Sequence, residues 1–184
     1  MNKTPSWSQE KYIHAYHFAA KAHRSQLYPG TGLPYLMHLS FVSMEIISAL
    51  AVEEAAHPDL AVQCALLHDV IEDTNIKYKK VREVFGTEVA DGVKALTKNK
   101  KINKAKRLKD SIERIREQPY EIWMVKLADR ISNLQSPPFD WTQEKTKAYW
   151  ESSKEIHKTL KDSSPYLGER LFQKMENYSA NYFK

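Results

Sequence analysis

Apolar residues recur at helical spacing along nearly the whole chain, and no stretch alternates with the period of two that a half-buried strand requires. Ser6 or Ser8 can cap a first helix that reaches His23, with Tyr12, Tyr16, Ala19 and Ala20 along one face. Tyr28-Pro29-Gly30-Thr31-Gly32 then forces a loop, and Pro34 suits the first turn of a second helix ending near Leu50. His57-Pro58-Asp59 opens a third. Its run Leu60-Ala61-Val62-Gln63-Cys64-Ala65-Leu66-Leu67 is apolar on nearly every side, the mark of a buried helix, and the pattern continues it through His68 to Asp73. A short helix to Phe85, a break at Gly86, a helix over 87–97, a loop at 98–103 and a helix to Glu117 follow. Pro119 starts the second buried helix, with Ile122-Trp123-Met124-Val125 and Leu127-Ala128, and Pro137-Pro138 must end it. Amphipathic helices over 142–160 and 165–182 complete the pattern, with Trp150, Ile156, Leu160, Leu167, Leu171 and Met175 available to face the core. The expected architecture is an all-α globule of about eight helices around two buried ones, forming a single domain over residues 1–184.

Composition agrees. Average usage would give about 13 glycines in a chain of this length, and there are five, which suits helices joined by few tight turns. The single cysteine, Cys64, excludes an internal disulfide and a multi-cysteine zinc site. No apolar run approaches the roughly 18 residues of a membrane span, and the start, from Met1 to Tyr12, lacks the apolar centre of a signal peptide. A cytoplasmic protein without a membrane partner is expected. The net charge of +5 is unevenly spread: from Lys94 to Lys109 there are eight basic residues and no acid, so the rest of the chain is net negative. Such a segment suits a phosphate-rich ligand, nucleic acid or an anionic surface, and a solvated lysine-rich loop is the plainer alternative.

The two most apolar helices carry charge where burial should forbid it. The third continues as His68-Asp69-Val70-Ile71-Glu72-Asp73, and the second buried one as Asp129-Arg130-Ile131-Ser132-Asn133. Buried carboxylates need a cation, hydrogen bonds or a raised pKa, and one divalent metal satisfies several at once. His68 and Glu72 are four apart, as are Asp69 and Asp73, which on a continuous helix gives two adjacent rows about one turn long. An imidazole and a carboxylate can then converge on an ion while two further carboxylates stand near its water. Asp129 offers another ligand, and His38 a fourth from the second helix. Mixed His and carboxylate donors suit manganese, iron or zinc better than calcium. A buried structural ion pair accounts equally well for His68-Asp69 taken alone; the joint pattern with His38, Glu72, Asp73 and Asp129 favours the metal.

Read with its flanks, this pattern resembles the HD-domain metal phosphohydrolases, and specifically the hydrolase domain of the RelA/SpoT alarmone enzymes. The matching stretches are Pro34-Tyr35-Leu36-Met37-His38; Ala65-Leu66-Leu67-His68-Asp69-Val70-Ile71-Glu72-Asp73-Thr74; Phe85-Gly86-Thr87-Glu88-Val89-Ala90 with Leu96-Thr97-Lys98; and Val125-Lys126-Leu127-Ala128-Asp129-Arg130-Ile131-Ser132-Asn133-Leu134. They run in the family's order over about residues 14–136. The resemblance implies Mn²⁺-dependent removal of the 3′-pyrophosphate from guanosine tetra- or pentaphosphate, (p)ppGpp, to give GDP or GTP. By position, His38, His68, Asp69 and Asp129 fall at the family's metal ligands, and Glu72 and Asp73 at the acidic pair that positions and deprotonates the attacking water. Asn133 falls near the nucleoside. With 184 residues there is no room for the synthetase and regulatory domains of the long enzymes, so a stand-alone small alarmone hydrolase is expected.

The chain departs from the family at one place. Members usually carry an Arg-Lys pair before the turn, whose arginine stacks on guanine, where this sequence reads Gln26-Leu27-Tyr28-Pro29-Gly30. Tyr28 is the candidate replacement, since an aromatic face can substitute for a guanidinium plane; packing against the first helix is the alternative. Arg24 and Lys98 are candidates for phosphate contact. The partner expected is a small nucleotide, with no nucleic acid. Two other functions stay open: an HD-type phosphatase acting on another nucleotide, such as the 2′-phosphate of NADPH, and a non-catalytic nucleotide-binding module.

Overall fold

In the computed structural model, which describes residues 6–183, ten α-helices and two 3-10 turns carry the chain, and no strand forms among the described residues. The helices are α1 (Gln9–Ala22), α2 (Leu36–Leu50), α3 (Pro58–Leu67), α4 (Val70–Asp73), α5 (Tyr78–Phe85), α6 (Thr87–Leu96), α7 (Arg107–Arg116), α8 (Tyr120–Asn133), α9 (Gln143–Leu160) and α10 (Pro165–Tyr182). The 3-10 turns are Lys104–Lys106 and Lys161–Ser163. A lone bridge between Leu27 and Pro34 closes the glycine-containing loop, where Gly30 and Gly32 take the positive φ that loop demands.

The all-α expectation holds, with corrections in detail. Ser8, not Ser6, caps α1, its Oγ accepting from the Lys11 N–H at 3.3 Å. Pro34 lies outside α2, which begins two residues later with Tyr35 as its N-cap. The helix count exceeds eight partly because the third predicted helix is cut at His68-Asp69 into α3 and α4. His68 Nδ1 donates to the carbonyl of Ala65 at 2.8 Å, and the carbonyl of Ala65 is the one an uninterrupted helix offers to the Asp69 N–H.

As the apolar runs predicted, α3 and α8 are the interior. All residues from Leu60 to Leu67 are buried, as are Ile122 and the stretch Met124 to Ala128. α3 is enclosed by α1, α2, α6 and α8, while α8 also packs on α9 and α10. Gly92 lets α6 approach closely: a Cβ there would lie 2.5 Å from Ile122 Cδ1 and 3.0 Å from Cys64 Sγ. Ile156, Leu160, Leu167, Leu171 and Met175 face the core as expected, and Trp150 is partly buried against it. Arg170 grips the buried Glu45 carboxylate with two hydrogen bonds, tying α10 to α2. No helix among the described residues is long and apolar enough to cross a membrane.

Candidate metal centre

The packing of α2, the α3–α4 junction and the end of α8 brings the expected ligands together. His38 Nε2 and His68 Nε2 are 3.2 Å apart. Asp69 Oδ2 lies 2.9 Å from His68 Nε2 and 3.7 Å from His38 Nε2, and Asp129 Oδ1 lies 3.5 Å from His38 Nε2 and 3.8 Å from His68 Nε2. Ligand atoms of His38, His68 and Asp69 all fall within 4.8 Å of one another. Both histidines are buried and both aspartates are nearly so.

Each candidate ligand is fixed by a second contact. His68 Nδ1 must be the protonated nitrogen, because the carbonyl of Ala65 can only accept. That leaves its Nε2 lone pair turned toward the cluster in the neutral ring. His38 Nδ1 pairs with Ser132 Oγ at 3.0 Å. Asp69 Oδ2 accepts from the Tyr35 hydroxyl at 2.5 Å, and Tyr35 is in turn stacked on the buried His23 with ring centroids 5.0 Å apart. Asp129 Oδ2 accepts from the Lys126 ammonium at 2.9 Å, and Asp129 Oδ1 from the Asn133 amide at 2.6 Å. Second contacts of this kind orient metal ligands and tune their basicity.

The electrostatics follow the same geometry. Burial opposes ionisation of Asp69 and Asp129, yet His68 holds Asp69, and Lys126 together with the two histidines holds Asp129, well below the usual carboxylate range. Burial would likewise depress His68, but the charges of Asp69 and Asp129 push it up to about 9. Burial and then Asp69 raise the Tyr35 phenol far above its ordinary value, so it remains a donor. The donor set fits a divalent cation: two imidazole nitrogens and two carboxylates converge, and when both rings are neutral Lys126 offsets only one of the two negative charges.

These observations place the chain. It belongs to the HD-domain family. The family's sequence profile matches residues 15–162. Among curated HD relatives, the guanosine-3′,5′-bis(diphosphate) 3′-pyrophosphohydrolase MESH1 of Danio rerio is 30% identical over 161 residues, covering 85% of this chain and 87% of that one. The Homo sapiens MESH1 is 31% identical over 165 residues, covering 86% and 89% respectively. A solved structure of a metazoan SpoT ortholog that hydrolyses ppGpp and plays a role in starvation responses superposes with a TM-score of 0.81 at 26% identity, over 94% of this chain and 97% of that one.

The remaining candidates of this HD chain fall into two groups. Glu72 and Asp73 end α4, one turn beyond Asp69. Asp73 is exposed, and partial desolvation together with the charges of Asp69 and Glu72 raises its pKa. Tyr28 covers the cluster, its ring stacked on His38 with centroids 5.5 Å apart and its hydroxyl donating to Asn133 Oδ1 at 3.0 Å. Asn133 therefore links Tyr28 to Asp129. Lys98 is paired with Glu72, at 2.9 Å from its ammonium. Arg24 is exposed just beyond α1. The residue-by-residue reading of the sequence gave no role to Tyr35, Ser132 or Lys126. Lys126 alone left a readable signal, as a lysine inside an otherwise apolar run three residues before Asp129.

Proposed function

We propose that this protein is a Mn²⁺-dependent guanosine-3′,5′-bis(diphosphate) 3′-pyrophosphohydrolase that acts in the cytoplasm, with the whole chain forming one hydrolase domain. The reading rests on the convergence of His38, His68, Asp69 and Asp129 beside the acidic end of α4, and is supported by the activity of the MESH1 relatives. A cation held by these four residues supplies Lewis acidity and lowers the pKa of a water. The chain's own groups do the rest. Ser132, Tyr35 and Lys126 hold His38, Asp69 and Asp129 in place. Asp73, whose raised pKa makes it a better proton acceptor at neutral pH, takes the water's proton as the 3′-pyrophosphate is displaced. Asn133 and Tyr28 border the nucleoside, Tyr28 standing where the family's base-stacking arginine is absent. Arg24 and the lysines that follow α6 attract the phosphates.

That altered loop also favours one second reading, an HD phosphatase acting on the 2′-phosphate of NADPH. Incubating manganese-loaded protein with guanosine tetraphosphate, NADPH and 3′-phosphoadenosine compounds, then identifying the products, separates the two. Pyrophosphate released from the first substrate alone, and abolished by Asp69→Asn, is the expected result. Phosphate released from NADPH alone selects the second reading, and turnover of no substrate rejects both.

A further inference from the structure

Glu72 is occupied in a way that its expected role in handling water does not explain. Its Oε2 accepts from the backbone N–H of Lys98 at 2.8 Å, its Oε1 from the Lys98 ammonium at 2.9 Å, and its backbone carbonyl from the Lys100 ammonium at 3.0 Å. The Glu72 side chain is only 8% exposed, while that of Lys98 is 56% exposed. The segment carrying these lysines is also fixed from its other side. Arg114 donates to the carbonyls of Lys94, Ala95 and Thr97, and Arg107 to those of Lys100 and Ile102. Two ammonium groups are thus anchored on one acidic residue, a single turn from the metal ligand Asp69.

The two like charges repel each other; Glu72 and Asp73 lie beside them, and Asp69 and Asp129 also act on Lys98, although a divalent cation in the centre would offset those last two carboxylates. Each ammonium has three donors, and Lys98 commits one to Glu72 while most of its side chain faces outward. The ammonium donors left over are open to an anionic group. A phosphate oxygen cluster supplies both the charge and the acceptors, and the substrate class proposed above carries phosphates on two positions of the ribose. Were Glu72 to take a proton in the reaction, it would break the ion pair that holds this segment in place.

We infer that Glu72 is a positioning residue that sets Lys98 and Lys100 as a phosphate seat at the rim of the metal centre, leaving Asp73 as the one carboxylate of the pair that accepts the water's proton. This rests on the pyrophosphohydrolase reading. Lys98 is then a binding residue whose geometry is dictated by Glu72, and the acidic pair divides its labour.

A double-mutant cycle on the manganese-loaded full chain tests the division, using steady-state kinetics on guanosine tetraphosphate for the wild type, Glu72→Gln, Lys98→Met and the combination. Each single substitution should raise KM at least about tenfold with kcat held within about threefold, and the double should be no worse than the poorer single. Lys98→Arg should recover most of the loss. A fall in saturated kcat of about 100-fold or more in Glu72→Gln, whatever stands at position 98, or KM penalties that simply multiply, overturns the inference. If Glu72→Gln does not fold, the exposed Lys98→Met carries the test alone, and loss in its kcat rather than its KM is the overturning result. A wild type that releases no pyrophosphate from guanosine tetraphosphate rejects the underlying reading instead.

Discussion

His38 Nε2 stands 3.2 Å from His68 Nε2, with the second nitrogen of each ring already bonded inside the fold, to Ser132 and to the Ala65 carbonyl. Either one of the two facing nitrogens carries a proton and donates it to the other, or both turn their lone pairs on a shared cation. Two carboxylates close the same space. The cluster should therefore be one of the strongest couplings between ligand and fold in the molecule. Chelation is expected to lower Tm, and Mn²⁺ to restore it. At a free metal concentration of 100 times Kd, the stabilisation is about 2.7 kcal/mol. Differential scanning calorimetry of chelated and reloaded protein measures this, and an unchanged Tm would refute the ligand assignment.

Ser132 meets the centre through His38. Ser132→Ala should weaken metal affinity by about 10- to 100-fold, the usual effect of removing an outer partner of a ligating histidine. Competition titration against a chelating dye reads the change directly, and an affinity equal to wild type would mean that the Ser132 contact does not orient the ring.

Asp73 lets function and stability be told apart. Its pKa is raised in the folded chain, first by desolvation and then by the charges of Asp69 and Glu72. A carboxyl with a raised folded pKa binds protons more tightly when folded than when unfolded, so its ionised form destabilises the fold. That penalty is full above the folded pKa and fades as pH falls through it toward the ordinary carboxylate range. Asp73→Asn should therefore raise Tm of the metal-free protein at neutral pH, with the gain shrinking toward pH 4. The same substitution should reduce kcat by about 10²- to 10⁴-fold, as expected for loss of a general base. A variant that is both active and no more stable at neutral pH would contradict both statements.

Tyr28 lies on His38 and bonds Asn133. If its ring carries the base, Tyr28→Ala should raise KM for guanosine tetraphosphate by about tenfold, corresponding to the lower part of the 1–3 kcal/mol typical of base–aromatic stacking. Tyr28→Phe should keep most of that affinity while releasing the hydroxyl contact. Equal KM in wild type and Tyr28→Ala would assign the ring to packing.

Leu171 serves as a control far from the chemistry. It is fully buried in α10, against the core that α8 shares with α9 and α10. Leu171→Ala should destabilise the protein by about 2–5 kcal/mol through lost burial and the cavity left behind. Well below the lowered Tm, kcat should remain at the wild-type level. Denaturant unfolding and assays at low temperature give the two numbers.

The sequence by itself determined the helical class, the burial of α3 and α8, and the chemical types and chain order of the side chains that converge at the candidate metal centre. Each of these is a property of residues within a turn or two of one another, where helical geometry relates sequence position to space. His68, Asp69, Glu72 and Asp73 were legible as a group for that reason, and Gly86 and Pro137-Pro138 as breaks. Other features depend on which helices touch. His68 and Asp69 interrupt their helix because the imidazole takes the carbonyl of Ala65 and reaches toward His38 on α2. Lys126 is buried, in violation of the ordinary preference of lysine, because Asp129 pairs with it. Lys98 meets Glu72 across 26 positions of chain, a contact set by how α6 docks beside α4. Hydrophobic periodicity says which face of a helix is turned inward. It carries no information on which polar group of another helix that face will meet, and here those meetings decide how the centre is held.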